Sequence, residues 1–204
     1  MDRPTRFVVA WAFAASEDEA APCVVAQTRQ RTSGHLGVPW VSDGREVYRR
    51  EVRRVYRDSK RLGKRGRPRL VPTTGVGLTQ AFKHRCGGKV VRIKVRQVLG
   101  EPIDCPYAVH VERLNGVLRD RLNCLSRKTH AFAKRENTWD AFVVLCLFEG
   151  NWLRSHWALR EPADDLPNGR RYRHKSPAMA IGLTDHVWSW EEFLTCRHHH
   201  YSKG

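Results

Sequence analysis

The sequence predicts an α/β fold with a helical extension at its C-terminal end. In the first third of the chain, strand-like apolar runs alternate with stretches of helical spacing. Hydrophobic residues make up 41% of the 204 residues, enough for a real core. Further on, a polar stretch holding Pro, Gly, Asn and Asp leads into two short helix starts.

Arg6 to Ala14, rich in β-branched and aromatic residues, reads as a strand buried on both faces. It begins almost at Met1, with no upstream sequence to supply an adjoining hairpin. Ser16 and Glu19 have the form of a capping box. Ala20, Ala21, Val24, Val25 and Thr28 then recur at helical spacing, so a helix is expected over 17–31. Val38 to Gly44 returns to strand character and ends in Asp-Gly; Val47, Val52 and Val55 mark a helix over 46–58. Asp43 thus stands at the carboxyl end of a strand, where open α/β sheets build their sites, although Asp-Gly is also an ordinary turn dipeptide.

Lys60 to Pro72 has too few apolar residues to pack and is expected as a solvated basic loop, with Lys64, Arg65, Arg67 and Arg69 as phosphate contacts. Its Arg65-Gly66-Arg67-Pro68 core is that of AT-hook peptides, whose extended backbone lets arginines enter a narrow minor groove. The match is short, and generic phosphate binding is the role assigned to it. Lys89 to Val95 alternates basic and apolar residues, as an exposed strand with one cationic face would.

His110 to Lys128 is the stretch around which the chain is organised. Val111, Leu114, Leu118, Leu122 and Leu125 form one apolar helical stripe that must face a core. Glu112, Asn115, Gly116, Arg119 and Asn123 follow the edge of that stripe. At the helical rise Glu112 and Arg119 lie about 10 Å apart and nearly in register. That spacing suits an acid at a reacting phosphate with a cation on the backbone nearby; the plainer alternative pairs Glu112 with a neighbouring Arg. Ala141 to Trp152 is apolar nearly all round and is expected as the most buried helix. Pro162 to Lys175 reads as a linker. Ser176-Pro177 and Ser189 to Glu192 open short helices, with Trp188 and Trp190 docking this end. His198 to His200 do not share a helix face and read as a solvent-exposed tail rather than a metal site.

Lys and Arg number 37 against 21 acids, for a net charge of +16 and a pI near 10.2. A polyanion is the natural partner, and nucleic acid leads. No apolar run approaches the roughly 18 residues of a membrane span, and no secretory pattern opens the chain. The six cysteines, at 23, 86, 105, 124, 146 and 196, include no C-x-x-C pair. They argue against a zinc ribbon or a disulfide scaffold and for reduced thiols in a cytoplasmic protein.

Four segments in order, Val41-Ser42-Asp43-Gly44, Gly66-Arg67-Pro68-Arg69, His110 to Asn115 and Asn151 to His156, resemble transposases of short bacterial insertion sequences, of the insertion-sequence-one type in the Asp-Asp-Glu superfamily. Thr129 to Lys134 resembles that family's Lys-Thr-x-x-Phe-x-Lys segment, and Ser176 to Glu192 the tail of close relatives. The resemblance implies a ribonuclease-H-like mixed sheet flanked by helices, in which three carboxylates hold two Mg²⁺ or Mn²⁺ ions. Asp43 is then the second acid and metal ligand and Glu112 the third, with Arg113, Asn115, Arg119 and Lys128 as DNA contacts. The function implied is cleavage and strand transfer at insertion-sequence ends, by a nucleoid-associated homo-oligomer on duplex DNA.

Departures from the family shape this expectation. The segment bearing the first family acid is not in the chain, Asp2 matches a non-catalytic position, the zinc-binding region is missing, and Arg45 replaces a frequent Trp. Residues 1–160 are therefore expected to form a catalytic domain lacking its first strands, inactive alone, and 161–204 a linker and helical tail. The competing expectations are a non-catalytic DNA-binding competitor or remnant and, last, a basic ribosome-associated protein.

Overall fold

The computed structural model describes residues 1–32, 37–61, 63, 66–103, 108–125, 130, 135–163 and 171–196. The chain divides into two compact units, 9–113 and 1–8 together with 114–204, a different division from the expected 1–160 and 161–204.

In the unit 9–113, α1 (Glu17–Arg31) starts at Ser16, whose hydroxyl accepts from the Glu19 N–H at 3.3 Å. Its buried residues Ala21, Val25 and Thr28 recur at four- and three-residue steps, the stripe read from the sequence. β1 (Pro39–Asp43) and α2 (Glu46–Val55) follow, then a hairpin of β2 (Arg57–Lys60) and β3 (Arg69–Pro72). β4 (Gly77–Cys86) lies parallel to β1 and antiparallel to β5 (Lys89–Leu99), giving a mixed sheet in the order β1-β4-β5. A parallel pair cannot be joined by a tight turn; α2 and the β2–β3 hairpin make the crossover.

Alternation along the strands sorts the sheet into two faces. Trp40 and Leu78 are register partners, and on their side Val25, Val52, Tyr56, Val76 and Leu78 form the buried core. Asp43 pairs with Ala81 on the other side. β5 carries two register shifts against β4, at Leu78/Thr79 and His84/Arg85. Glu51 is buried on α2 between hydrogen bonds from Arg50 at 3.0 Å and Arg54 at 2.6 Å.

α3 (Val109–Arg121) leads into the unit of 1–8 and 114–204, which also holds α4 (Glu136–Phe148), a π-helical turn over Glu149–Leu153, and a 3₁₀ turn over Trp157–Leu159. The two-stranded hairpin of β6 (Glu161–Pro162) and β7 (Tyr172–Arg173) comes next, then α5 (Pro177–Ala180) and α6 (Trp190–Thr195). Phe148 packs on Phe193 at 4.0 Å and Trp188 on Trp152 at 4.8 Å between ring centroids. The Trp188 N–H also donates to the Trp152 carbonyl at 3.1 Å, so Trp188 docks as expected, while Trp190 is 45% exposed. Ser189 and Glu192 complete a reciprocal capping box, at 3.1 and 2.6 Å.

The α/β class holds, and several elements correct the sequence reading. Arg6 to Ala14 is half-buried and belongs to no described strand, with Phe13 exposed. The Asn151 side-chain amide serves as its partner, accepting from the Val8 N–H at 2.9 Å and donating to the Val8 carbonyl at 3.2 Å. The central helix ends at Arg121 rather than Lys128, and α3 has no buried residue: Val111 is exposed, and Leu114, Leu118, Leu122 and Leu125 are half-buried. Ala141 to Trp152 is not the most buried helix. A single packed side covers Leu147 and Asn151, leaving Phe142, Val144 and Leu145 in solvent. Arg69 to Pro72 of the expected basic loop is a strand, and the ends of the expected linker pair as β6 and β7. The histidine triplet lies outside the described residues.

Candidate nucleic-acid cleft

Asp43 ends β1, Gly44 follows, and Arg45 is the residue before the first turn of α2. The Arg45 N–H donates to Asp43 Oδ1 at 3.2 Å, so the Asp-Gly pair is indeed a turn, closed by its own carboxylate. Gln80, buried on β4, clamps that turn: its side-chain amide donates to the carbonyls of Asp43 at 3.0 Å and Arg45 at 2.9 Å. Gly44 is required by close approach, because a Cβ there would lie 2.3 Å from the Phe82 ring. Beside the turn Arg45 pairs with Glu17 at 2.9 Å. Burial, then the Glu17 carboxylate, push the Tyr48 hydroxyl well above the usual phenol range and keep it neutral.

The register carries Asp43 into a site. Ala81 stands beside it on the parallel strand, and two residues further, on the same face, comes Lys83, paired across β4 and β5 with Ile93. The first turn of α3 brings Glu112 to that face, where its carboxylate forms an ion pair with the Lys83 ammonium. Asp43, Lys83 and Glu112 line an open cleft of about 550 Å³ together with Arg45, His84 and Arg85. The same three residues also line an adjoining hollow of about 360 Å³ whose walls are Val90, Ile93 and Val109. The two acids singled out from the sequence are thus brought together.

The other expected contacts are not. Arg67 and Arg69 are exposed at the β2–β3 hairpin and Arg113 is exposed on α3; none of them lines the cleft. Asn115 and Arg119 are exposed on α3 in the other unit, and Lys64, Arg65 and Lys128 lie outside the described residues. Lys83, His84, Arg85 and Arg45 were not singled out beforehand. For Lys83, His84 and Arg85 the signal was the change along β4 to a basic run, whose meaning depends on pairing with β1; Arg45 lies outside β4, at the start of α2.

The donor set does not fit a two-metal centre. The cleft offers two carboxylates, one of them already satisfied by an ammonium, and no cluster of three His, Cys, Asp or Glu that suits a metal occurs among the described residues. Two divalent ions need more oxygen ligands than this lining supplies. A phosphate is better served. The Lys83 and Glu112 side chains are 30% and 54% exposed, so their pair contributes only about 0–1 kcal/mol and an incoming phosphate can draw Lys83 away. Arg45 and Arg85 add cationic reach. No protein-family model matches the chain, and neither a curated protein nor a solved structure matches it.

Proposed function

We propose that this chain acts in DNA transposition as a DNA-engaging relative of insertion-sequence transposases, holding duplex DNA on the β4–β5 hairpin and presenting a phosphate to the Asp43–Glu112 cleft. The observation that carries the reading is the convergence of Asp43 and Glu112 in one cleft whose other charged residues are basic. A surface that only tethers DNA by charge gains nothing from two carboxylates there, since each repels phosphate. A chain charge of +16 and the exposed basic residues Arg92, Lys94 and Arg96 of β5, which leave the sheet face that carries Phe82 rather than the one that carries Lys83, support duplex DNA as the partner of the hairpin as a whole. Strand cleavage with Mg²⁺ or Mn²⁺ requires a further carboxylate beyond the described lining, and no step through metal is assigned to these residues. The Lys83 ammonium on Glu112 favours a second reading, a non-catalytic binder that competes for the same DNA ends.

The test is to incubate the purified chain with end-containing duplex DNA and Mn²⁺, following binding and cleavage together. Tight binding that weakens steeply with salt is expected, without cut product. Cleavage abolished by Asp43→Ala and by Glu112→Ala would assign the full transposase chemistry to this chain and remove the competitor reading. Failure to bind duplex DNA at low salt would overturn both.

A further inference from the structure

The unit of 1–8 and 114–204 carries a stack of side chains that neither the cleft nor the aromatic core uses. The Arg160 guanidinium carbon lies 3.4 Å from the centroid of the Trp157 ring and 4.1 Å from that of Tyr172. The frame holding these groups is fixed by backbone. Trp157 opens the 3₁₀ turn, and Arg160 precedes β6. Pairing of Pro162 with Tyr172 and of Glu161 with Arg173 sets the hairpin in register. The His156 N–H donates to the Lys175 carbonyl at 2.9 Å, and Lys175 pairs with Glu161 at 2.6 Å.

A guanidinium between two rings is held flat by its attraction to their π faces. A purely structural staple of this kind would bury its rings. Here Trp157 is 68% exposed and Tyr172 38% exposed. An indole backed on one side by a cation and open to water on the other is a platform for one more flat π system. Arg171, Arg173 and His174 are exposed around Tyr172 in sequence, so the surface favours an anionic ligand. A flat aromatic group attached to anions describes a nucleotide. In a duplex the base faces are covered by their neighbours and offer only edges, so ring-face stacking requires an unpaired base.

We infer that Trp157, Arg160 and Tyr172 form a stacking site for unpaired bases of a DNA strand. The choice of DNA rests on the transposition reading above; the stacking itself does not. The site is separate from the β4–β5 hairpin in composition, and the two differ in what they take: duplex phosphates at the hairpin, exposed base faces here.

Fluorescence anisotropy with end-labelled probes tests it: a thymidine oligomer, the same strand made abasic, a duplex, and a uridine oligomer. Trp157→Ala should weaken binding of the thymidine strand about tenfold or more, the scale of losing one stacked base, and leave duplex binding unchanged. Trp157→Phe should restore most of the affinity, because a phenyl face still stacks. The abasic strand keeps its phosphates, so it should bind the native chain as weakly as the thymidine strand binds Trp157→Ala, and the substitution should cost it nothing more. Equal binding of abasic and thymidine strands, or an equal loss on single strand and duplex, would overturn the stacking site. Tighter binding of the uridine strand would overturn the assignment to DNA while leaving the duplex measurement to judge the transposition reading separately.

Discussion

Replacing Arg92, Lys94 and Arg96 together by Gln tests the proposal that the β4–β5 hairpin holds duplex DNA. These are alternate residues of β5, all exposed, so their side chains leave one face of the strand about 6.8 Å apart. Across the ladder they stand opposite His84, Phe82 and Gln80. If each cation neutralises one phosphate, removing three should make the slope of log K against log salt less negative by about 2.7. Between 50 and 200 mM salt that difference amounts to roughly 40-fold: the native chain should lose that much more affinity than the variant over the same interval. Gln keeps a long polar side chain on an already exposed strand, so the fold should survive, which a thermal melt confirms. Anisotropy titrations of a labelled duplex at several salt concentrations give both slopes. An unchanged slope would mean that the hairpin does not carry the DNA. The matching Ala variant of Lys64, Arg65, Arg67 and Arg69 would then be expected to flatten it instead, by up to about 3.6.

Other consequences follow from particular contacts. Gly44→Ala puts a Cβ 2.3 Å from the Phe82 ring and should cost about 1–3 kcal/mol in denaturant unfolding; Phe82→Leu in the same chain should recover most of it, and a neutral Gly44→Ala would refute the contact. Burial alone would raise the Glu51 carboxyl, but the hydrogen bonds from Arg50 and Arg54 outweigh it and hold the group below its ordinary range. Its contribution is therefore present above the unfolded value near 4.3 and lost as pH falls through the lower folded one. Glu51→Gln should cost roughly 1–2 kcal/mol at neutral pH and flatten the acid limb of the stability profile; an unaltered limb would sink this. His186 has the opposite sign. Asp185 at 2.6 Å and Glu192 at 2.7 Å raise its imidazole, so its support of the α6 cap is full below an unfolded value near 6.5 and fades as pH rises through the raised one. Indole fluorescence should shift over that rise in the native chain and not in His186→Ala.

Local signals in the sequence were legible where one physical cause acted alone. Ser16, Ser176 and Ser189 each begin a helix because a hydroxyl can satisfy a backbone N–H that the helix cannot. Alternation in Lys89 to Val95 placed an exposed strand correctly, and the position of Asp43 at a strand end followed from the turn residues. Burial was not legible. Arg6 to Ala14 and Ala141 to Trp152 have the composition of buried elements, yet which side of an apolar segment is covered depends on partners distant in sequence. For Val8 that partner is a single amide, Asn151, which does what a neighbouring strand would have done. Hydrophobic period tells which residues share a face; it does not tell what packs against that face.

The cleft shows the same limit more sharply. Asp43 and Glu112 were recognisable as chemistry from their positions, one at the carboxyl end of a strand and the other on the edge of an apolar helical stripe, and from the motifs around them. Lys83 was not, since a lysine among His84, Arg85 and the cations of β5 carries no local mark. Its role comes from strand pairing: β4 runs parallel to β1, Asp43 stands beside Ala81, and alternation puts Lys83 next on the face that meets α3. Two carboxylates lining one cleft repel each other, and positive charge that offsets this can come from a metal ion or from a cationic side chain. In this chain the second solution recurs. Glu17 is held by Arg45, Glu51 by Arg50 and Arg54, and Glu149 by Arg121 and Arg154. Lys83 on Glu112 is one more instance, placed where it decides what the cleft binds. With an ammonium already between strand and helix, one carboxylate of the cleft is met from within the chain, and on the proposed reading an incoming phosphate would compete with Glu112 for Lys83.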